Sequence, residues 1–599
     1  MKRALLLALA VTAAACGPKS VFRLSADENN AYALKETLAK RQLPGNPAPV
    51  NLQGSPRVFV LAAGSPKTLI AYDLAAQSVM WKVDADVQSR IFVGGDFIIE
   101  VEGKQVVARD QARGTPRWKV DLGGEFIGAA ADRERAYVVV KDGSEYTLSG
   151  YDGGNGKRLW HDSAAGQLGA PGAHGGVVYV PFLSQWLSIL DGKTGAQLTR
   201  VRGLDDQIST LRVTSTVAYY GSKRGMFRLD ERSASGKRDQ SSYATVEIPS
   251  QLERTTYNRD AYDPIQQGYT AADRARVLWA SEPTTEGPMK LTGDGYAIHY
   301  FRYVLGFDSK GEMRWAYSNP RVELVASEDT DTVIAAIAQN GEVVALDRST
   351  GGVLTRMSIG GAAQVLGATF DADGWRPSGQ PEKLDQTAAL VAIARDHDAR
   401  FERVKELAVV ALARQQGTDS TKELLAILSD DRAPVRLKDT VVQLLVQRRD
   451  PASLPILVEQ LAVHDDAIAQ TQTETLGAVA KAIAGLAETS VNSVDARHAL
   501  AALEYHLEAP STGIADLVLV MDAMTAVGGG EQKAPLESHL LLYHADDDRG
   551  GDPAWQKAIV SAIATHPTPV DRAVLRYVQA DPRSKGGLAQ QIQQALPAD

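Results

Sequence analysis

Two hydrophobic periodicities divide the chain. From Arg57 to about Phe370, apolar residues come in short runs bounded by Gly and Asp. Examples are Val58-Phe59-Val60-Leu61, Phe97-Ile98-Ile99-Glu100-Val101, Ala136-Tyr137-Val138-Val139-Val140 and Val177-Val178-Tyr179-Val180. Such runs between turn residues predict β-strands. Beyond residue 383 the runs end and apolar residues recur at three-and-four spacing, which predicts helices. The predicted helices are Leu384–Arg395, Val404–Arg414, Thr421–Leu428, Val435–Arg448, Ala452–Val463, Thr475–Glu488, Ala496–Leu507, Ile514–Val527, Leu536–Tyr543, Pro553–Thr565, Pro569–Val578 and Leu588–Leu596.

The strand region repeats one corner: an apolar strand end, an Asp, a Gly-containing turn and a strand that often carries Trp. The corner aspartates are Asp73, Asp110, Asp152, Asp191, Asp230, Asp308 and Asp347, spaced by 37, 42, 39, 39, 78 and 39 residues. A period near 40 in a β-rich chain predicts a propeller or array. The Asp side chain accepts from backbone N–H groups in the turn, and Gly supplies a positive φ. Trp81, Trp118, Trp160 and Trp315 follow their aspartates by seven or eight residues. One large flat ring per unit suits packing between neighbouring sheets. The interval of 78 is resolved through Trp279, whose distance to Asp308 matches the Trp-to-Asp distance elsewhere. Trp279 is therefore assigned as the delayed partner of Asp230, with an insertion at 231–277 inside that hairpin. The count is seven blades, or eight if a degenerate unit lies at one end, with Val365 to Phe370 pairing to the first blade and closing the ring.

These corners resemble the pyrroloquinoline-quinone-type β-propeller repeat over roughly residues 56–376. That family contains quinoprotein dehydrogenases and also non-enzymatic propellers such as the BamB-type barrel-assembly lipoproteins of the outer membrane. The dehydrogenases place adjacent disulfide-bonded cysteines beside the quinone, with carboxylate and amide ligands for calcium. The propeller region here contains no cysteine, and no residue carries over as a quinone ligand. The resemblance therefore implies a non-catalytic platform without a cofactor. In the second region, Asp431-Arg432-Ala433-Pro434-Val435-Arg436, an apolar helix and Asp450-Pro451 resemble a HEAT-type repeat, whose helix pairs stack into a solenoid with extended binding surfaces. An independent helical bundle is the alternative, and the barrel-assembly lipoproteins lack such a region.

The N-terminus changes the picture by adding an address. Lys2-Arg3, the apolar run Ala4 to Val11 and Ala13-Ala14-Ala15 have the order of a secretory signal. Cys16, the only cysteine among 599 residues, follows at once. The segment resembles a bacterial lipoprotein signal, which implies acylation of Cys16. Ordinary secretion with a free thiol is the alternative. Gly17 rather than Asp after the cysteine resembles lipoproteins sent to the outer membrane. No other stretch reaches the roughly 18 to 20 apolar residues of a span. The expected organisation is a signal peptide at 1–15, a lipidated Cys16 and tether at 16–56, the propeller at 57–376, a linker at 377–383 and the helical region at 384–599. A short helix within the tether, begun by Ser25 and Glu28 at capping-box spacing, is an even alternative to a flexible segment.

Composition adds little chemistry. The net charge of −9, with no dense Lys/Arg run, argues against nucleic acid as a partner. The regular recurrence of the corner aspartates makes them turn residues rather than calcium ligands. Asp371-Ala372-Asp373-Gly374 is a fragment of a calcium loop without the later ligands, and reads as a turn. His544-Ala545-Asp546-Asp547-Asp548 with Asp552 reads as a solvated acidic loop, and His539 and His544 lack an HExxH frame. The insertion, with Tyr243, Tyr257, Tyr262 and Tyr269, is a solvated loop or a lid on the corner face. Together these features point to a lipid-anchored scaffold that binds protein partners. A sensor holding a small ligand or glycan in the propeller funnel is the second reading, and a quinone-dependent dehydrogenase the third.

Overall fold

In a computed structural model of the chain, the described residues are 20–23 and 54–596, less 203–207, 209, 214–217, 223–224, 230–244, 247–274, 279–281, 284–290, 293–295, 309–311, 320–321, 331, 361–363, 399–400, 416, 431, 451–452, 463–475 and 491–493. The chain forms two compact units, residues 1–389 and 390–599. The first is a β-propeller and the second is all-helical.

The described residues of the first unit form seven four-stranded antiparallel sheets and one two-stranded ribbon. Blade 2 (Phe92–Val93, Phe97–Glu102, Gln105–Asp110, Pro116–Asp121) and blade 3 (Glu125–Ala131, Arg135–Asp142, Glu145–Asp152, Arg158–Ala164) show the plan, a meander ordered from inner to outer strand. The middle strands are almost wholly buried while the outer strands alternate. Sheets packed on both faces produce that contrast, because only the outermost strand meets water on one side. Blade 4 is Gly172–His174, Val177–Phe182, Trp186–Asp191 and Gln197–Arg202; blade 7 is Leu324–Asp329, Val333–Ala338, Glu342–Asp347 and Val353–Ser358.

The chain's last strand, Val365–Asp371, is the inner strand of blade 1 and pairs with Arg57–Ala62. Thr68–Asp73 and Ser78–Asp84 complete that sheet. Inner strands of neighbouring blades lie side by side at the 1–2, 2–3, 3–4, 4–5, 6–7 and 7–1 junctions. The 7–1 junction is sealed by a cluster of Val58, Val60, Ile70, Val333, Ile337 and Val343, all buried. Closure places the N-terminal and C-terminal strands of the propeller in one sheet, and the blades keep only short edges.

The fifth and sixth blades differ from the spacing-based assignment. The outer strand of blade 5 is Thr245–Val246, paired with Gly225–Leu229. The strand before Trp279, Ala275–Leu278, is the inner strand of blade 6 and pairs with Tyr296–Tyr300. The stretch 231–277 therefore contributes strands to two different sheets and is not one insertion inside a hairpin. Spacing measures the length of a unit but not which strand a Trp ends, and a two-residue strand leaves no apolar run to detect. Asp230, Trp279 and most of 231–277 lie outside the described residues.

The segment 377–383 lies along blade 7 instead of hanging free. Glu382 donates its N–H to the Val353 carbonyl at 2.9 Å, and a side chain at Gly352 would meet Pro381 and the Glu382 carbonyl.

In the second unit the helices alternate between two rows. Glu402–Arg414, Val435–Arg448, Leu476–Ser490, Ile514–Val527, Pro553–Ala564 and Gly586–Ala595 form one row, each against the next. Thr418–Leu428, Leu454–Ala462, Val494–Glu508, Lys533–Tyr543 and Pro569–Ala580 form the other. The helix starts follow local chemistry. Asp552 accepts from the N–H groups of Ala554 and Trp555 ahead of Pro553, and Thr568 with Asp571 makes a reciprocal capping box ahead of Pro569. Neighbours in the first row are joined by Arg436 and Glu406 at 2.7 Å. Among the described residues no helix is long and apolar enough to cross a membrane.

Candidate functional site

Five of the six described corners are built from the same bonds. One carboxylate oxygen of Asp73, Asp110, Asp152, Asp191 and Asp347 accepts from the backbone N–H groups two and three residues on, at 2.7 to 3.1 Å. Asp308 sits in a shorter corner and accepts from Glu312 at 2.9 Å. At Asp110 burial opposes ionisation, but Arg117 and the two N–H groups hold the carboxyl below its usual range. These carboxylates are occupied by their own turns.

The corners also receive the tryptophan of the preceding blade. Trp81, Trp118 and Trp160 each donate Nε1–H at 2.9 Å to the carbonyl of the residue after the next blade's aspartate, namely Gln111, Gly153 and Gly192. The ring covers the glycine four residues after that aspartate. A Cβ on Gly114, Gly156 or Gly195 would stand 2.6 to 2.7 Å from ring carbons, and all three have φ near +72°. Trp315 covers Gly351 in the same way. The glycine thus answers two demands, a left-handed turn and a flat surface for the ring. At the 7–1 junction both partners change together: Thr355 replaces the Trp, and Gln77 with φ 51° replaces the Gly.

A contact that sequence patterns did not reveal lies at the joint of blades 3 and 4. Ser20–Arg23, placed by sequence in the tether, are seated on the propeller. Phe22 is buried against Phe182, ring centroids 5.5 Å apart, beside Ala164 and Leu168. Val21 donates its N–H to Asp162 at 2.7 Å, and Ser20 its hydroxyl to the Ser163 carbonyl at 2.6 Å. Arg200 stacks over Phe182 and donates to the carbonyls of Val21 and Arg23 at 2.5 and 3.1 Å. The partners lie over 140 residues away in the chain, so no local pattern could signal them. Cys16 and the short helix expected near Ser25 lie outside the described residues.

Blade 2 buries a charged triad. Arg109 donates to Glu100 and to Glu102, both at 2.5 Å, and to the Gly114 carbonyl at 3.2 Å. The Glu100 side chain has no exposure. Burial pushes its carboxyl up to about 8, against the pull of Arg109. The triad ties two adjacent strands to the corner that holds Trp81.

The remaining acidic motifs are occupied internally. Asp371 accepts from Gln111 at 2.8 Å and faces Arg57 at 3.7 Å; burial raises its carboxyl while these partners lower it. His544 contacts the Ser584 hydroxyl at 3.0 Å, Asp546 accepts from Asp548 and Arg549, and Asp547 pairs with Lys585. His539, held near 4 by burial and by Arg549, sits against Trp555. These groups do not converge on a shared point.

Among the described residues, the exposed large apolar side chains of the helical unit, Val494, Tyr505, Leu541, Leu542, Val570 and Tyr577, all lie on the second helix row. Leu542 is 71% exposed and Val570 62%.

Among curated proteins, none matches this chain. Among solved structures, BamB from Moraxella catarrhalis is 16% identical, with 57% of this chain and 89% of that one aligned and a TM-score of 0.31. A europium-containing methanol dehydrogenase is 13% identical over 51% of this chain and 78% of its own, TM-score 0.31. Apo AztD from Citrobacter koseri is 12% identical over 55% and 99%, TM-score 0.31. Residues 60–229, from the first blade into the fifth, match the family model described as outer membrane protein assembly factor BamB, and this stretch of the chain is BamB-like.

Proposed function

We propose that this protein is a non-catalytic scaffold, held through an acylated Cys16 at the periplasmic face of a bacterial outer membrane, that binds protein partners during envelope or outer-membrane protein assembly. The BamB-like stretch supports the setting. The observation that carries the binding role is the confinement of exposed Tyr505, Leu541, Leu542, Val570 and Tyr577 to one helix row. Contiguous exposed apolar surface marks a contact with another macromolecule, and large side chains such as Tyr are enriched among the anchors of such contacts. The corner turns contribute a rigid rim, because their polar groups are already satisfied.

Affinity capture of the full-length protein from detergent-solubilised membranes tests the reading. The wild type is expected to retain discrete protein partners. Leu542→Asp with Tyr577→Asp is expected to reduce their recovery by about tenfold or more, as loss of an interface anchor does. Fold stability should change by less than about 0.5 kcal/mol per exposed site. Equal recovery with both proteins would remove the helix row from the binding role.

A further inference from the structure

We propose that Ser20–Arg23 is a clip that fixes the lipid-bearing end of the chain to the joint of blades 3 and 4, so that this edge of the propeller lies against the membrane surface. The inference rests on acylation of Cys16. It follows from where the chain is first held. Only Gly17, Pro18 and Lys19 separate Cys16 from Ser20. Four Cα steps reach at most about 14 Å, and Pro18 narrows the conformations available. Were residues 16 to 54 a free leash, the reach would be about 130 Å at full extension.

The clip has the features of a built contact rather than a chance touch. Its aromatic ring is 4% exposed and belongs to the core cluster at the 3–4 joint. Its backbone is held from both sides, by Asp162 and by Arg200. Arg200 is itself 6% exposed and braced by Ser188 at 2.9 Å. A buried guanidinium needs acceptors, and the clip's carbonyls supply two of them. The location also sets a direction. Asp162 and Ser163 lie at the end of the blade 3 outer strand remote from the Asp152 corner, since Ser163 pairs with Thr147 and Arg158 with Tyr151. Blade 4 agrees, because Phe182 pairs with Trp186 at the hairpin turn opposite the Asp191 corner. The membrane therefore approaches the end of the propeller opposite the corners, and the corner face points away from it.

Energy transfer measures this directly. Ser144→Cys, in the exposed turn of blade 3 next to the clipped end of the outer strand, supplies a reactive thiol once Cys16 is blocked by lipid. The labelled full-length protein is purified from membranes and reconstituted into phosphatidylethanolamine–phosphatidylglycerol vesicles with acceptor-labelled headgroups. Efficient transfer is expected. Inserting about ten Gly/Ser residues between Lys19 and Ser20 lengthens the leash by several tens of ångströms at most without touching the clip, and should lower transfer substantially. Phe22→Ala and Arg200→Met should lower it as well by releasing the clip. If the insertion leaves transfer unchanged, the distance is set elsewhere and the clip does not orient the protein. The mass of the N-terminal peptide separates the two ideas: an unmodified Cys16 overturns the anchor and the clip's role together, whereas an acylated Cys16 with insensitive transfer overturns the clip's role alone.

Discussion

Replacing Trp118 by Ala is expected to destabilise the propeller by about 3–5 kcal/mol, the range for deleting a buried large aromatic. The ring is 8% exposed, covers Gly156 and gives its N–H to Gly153 in the next blade. Its removal opens a cavity at a joint between sheets and leaves the Gly153 carbonyl without that donor. Denaturant unfolding of the full-length protein, followed by Trp fluorescence, to which the first unit contributes seven of the eight tryptophans, and by helical circular dichroism, should show the propeller transition moving to lower denaturant. The helical transition should stay in place. Gly156→Ala supplies the reciprocal test. The added methyl would meet the Trp118 ring at 2.7 Å at a φ of +72°, whereas Gly103→Ala, with φ +57° and open space around it, bears the backbone strain alone. The difference between these two alanines isolates the ring contact. Equal losses would mean that the rings do not hold the blades together.

Arg109→Leu is expected to have a comparable effect, and one that grows with pH. Above about pH 8 Glu100 is ionised in the wild type, and Arg109→Leu removes the guanidinium that stabilises that buried charge, a cost of up to about 3–5 kcal/mol. At pH 6 Glu100 keeps its proton and the loss is smaller. The sign follows from linkage. Glu100 has a folded-state value raised to about 8, so its contribution to stability is full below the unfolded value and is lost as pH rises through the folded one. In the wild type the propeller should therefore lose stability between pH 5 and 8 through this group. Glu100→Gln should flatten that slope, and Glu100→Gln with Arg109→Leu should recover part of the loss at pH 8.5. A pH-independent cost of Arg109→Leu would show that the triad does not titrate.

Local chemistry was legible in the sequence wherever one unit repeats it. The turns at Asp73, Asp110, Asp152, Asp191 and Asp347 and the helices Val435–Arg448 and Ile514–Val527 follow from spacing, because turn chemistry and amphipathic periodicity act within a few residues. The pairing of Val365–Asp371 with the first blade was legible from ring closure, which any propeller must satisfy at its ends. Blades 5 and 6 were not, since the two-residue strand Thr245–Val246 carries no period and the Trp-to-Asp interval fits either assignment. The dependence of Gly114, Gly156 and Gly195 on the tryptophan one blade earlier was readable only in part: the glycines were attributed to the turn, while the second demand comes from 33 to 38 residues upstream, a distance that turn rules do not cover. The Phe22–Arg200 clip was not readable at all, because nothing local distinguishes Ser20–Arg23 from tether.

In the proposed function the second helix row meets a protein partner at the membrane. Site-specific photo-crosslinking in intact cells tests this with the fewest intermediate steps, using a photoreactive amino acid at Leu542 and, as a control, at exposed Lys557 on the other row. The account predicts one or a few discrete protein adducts from position 542 in the membrane fraction, and none at position 557. Adducts that are absent, or equally abundant from both positions, would contradict it.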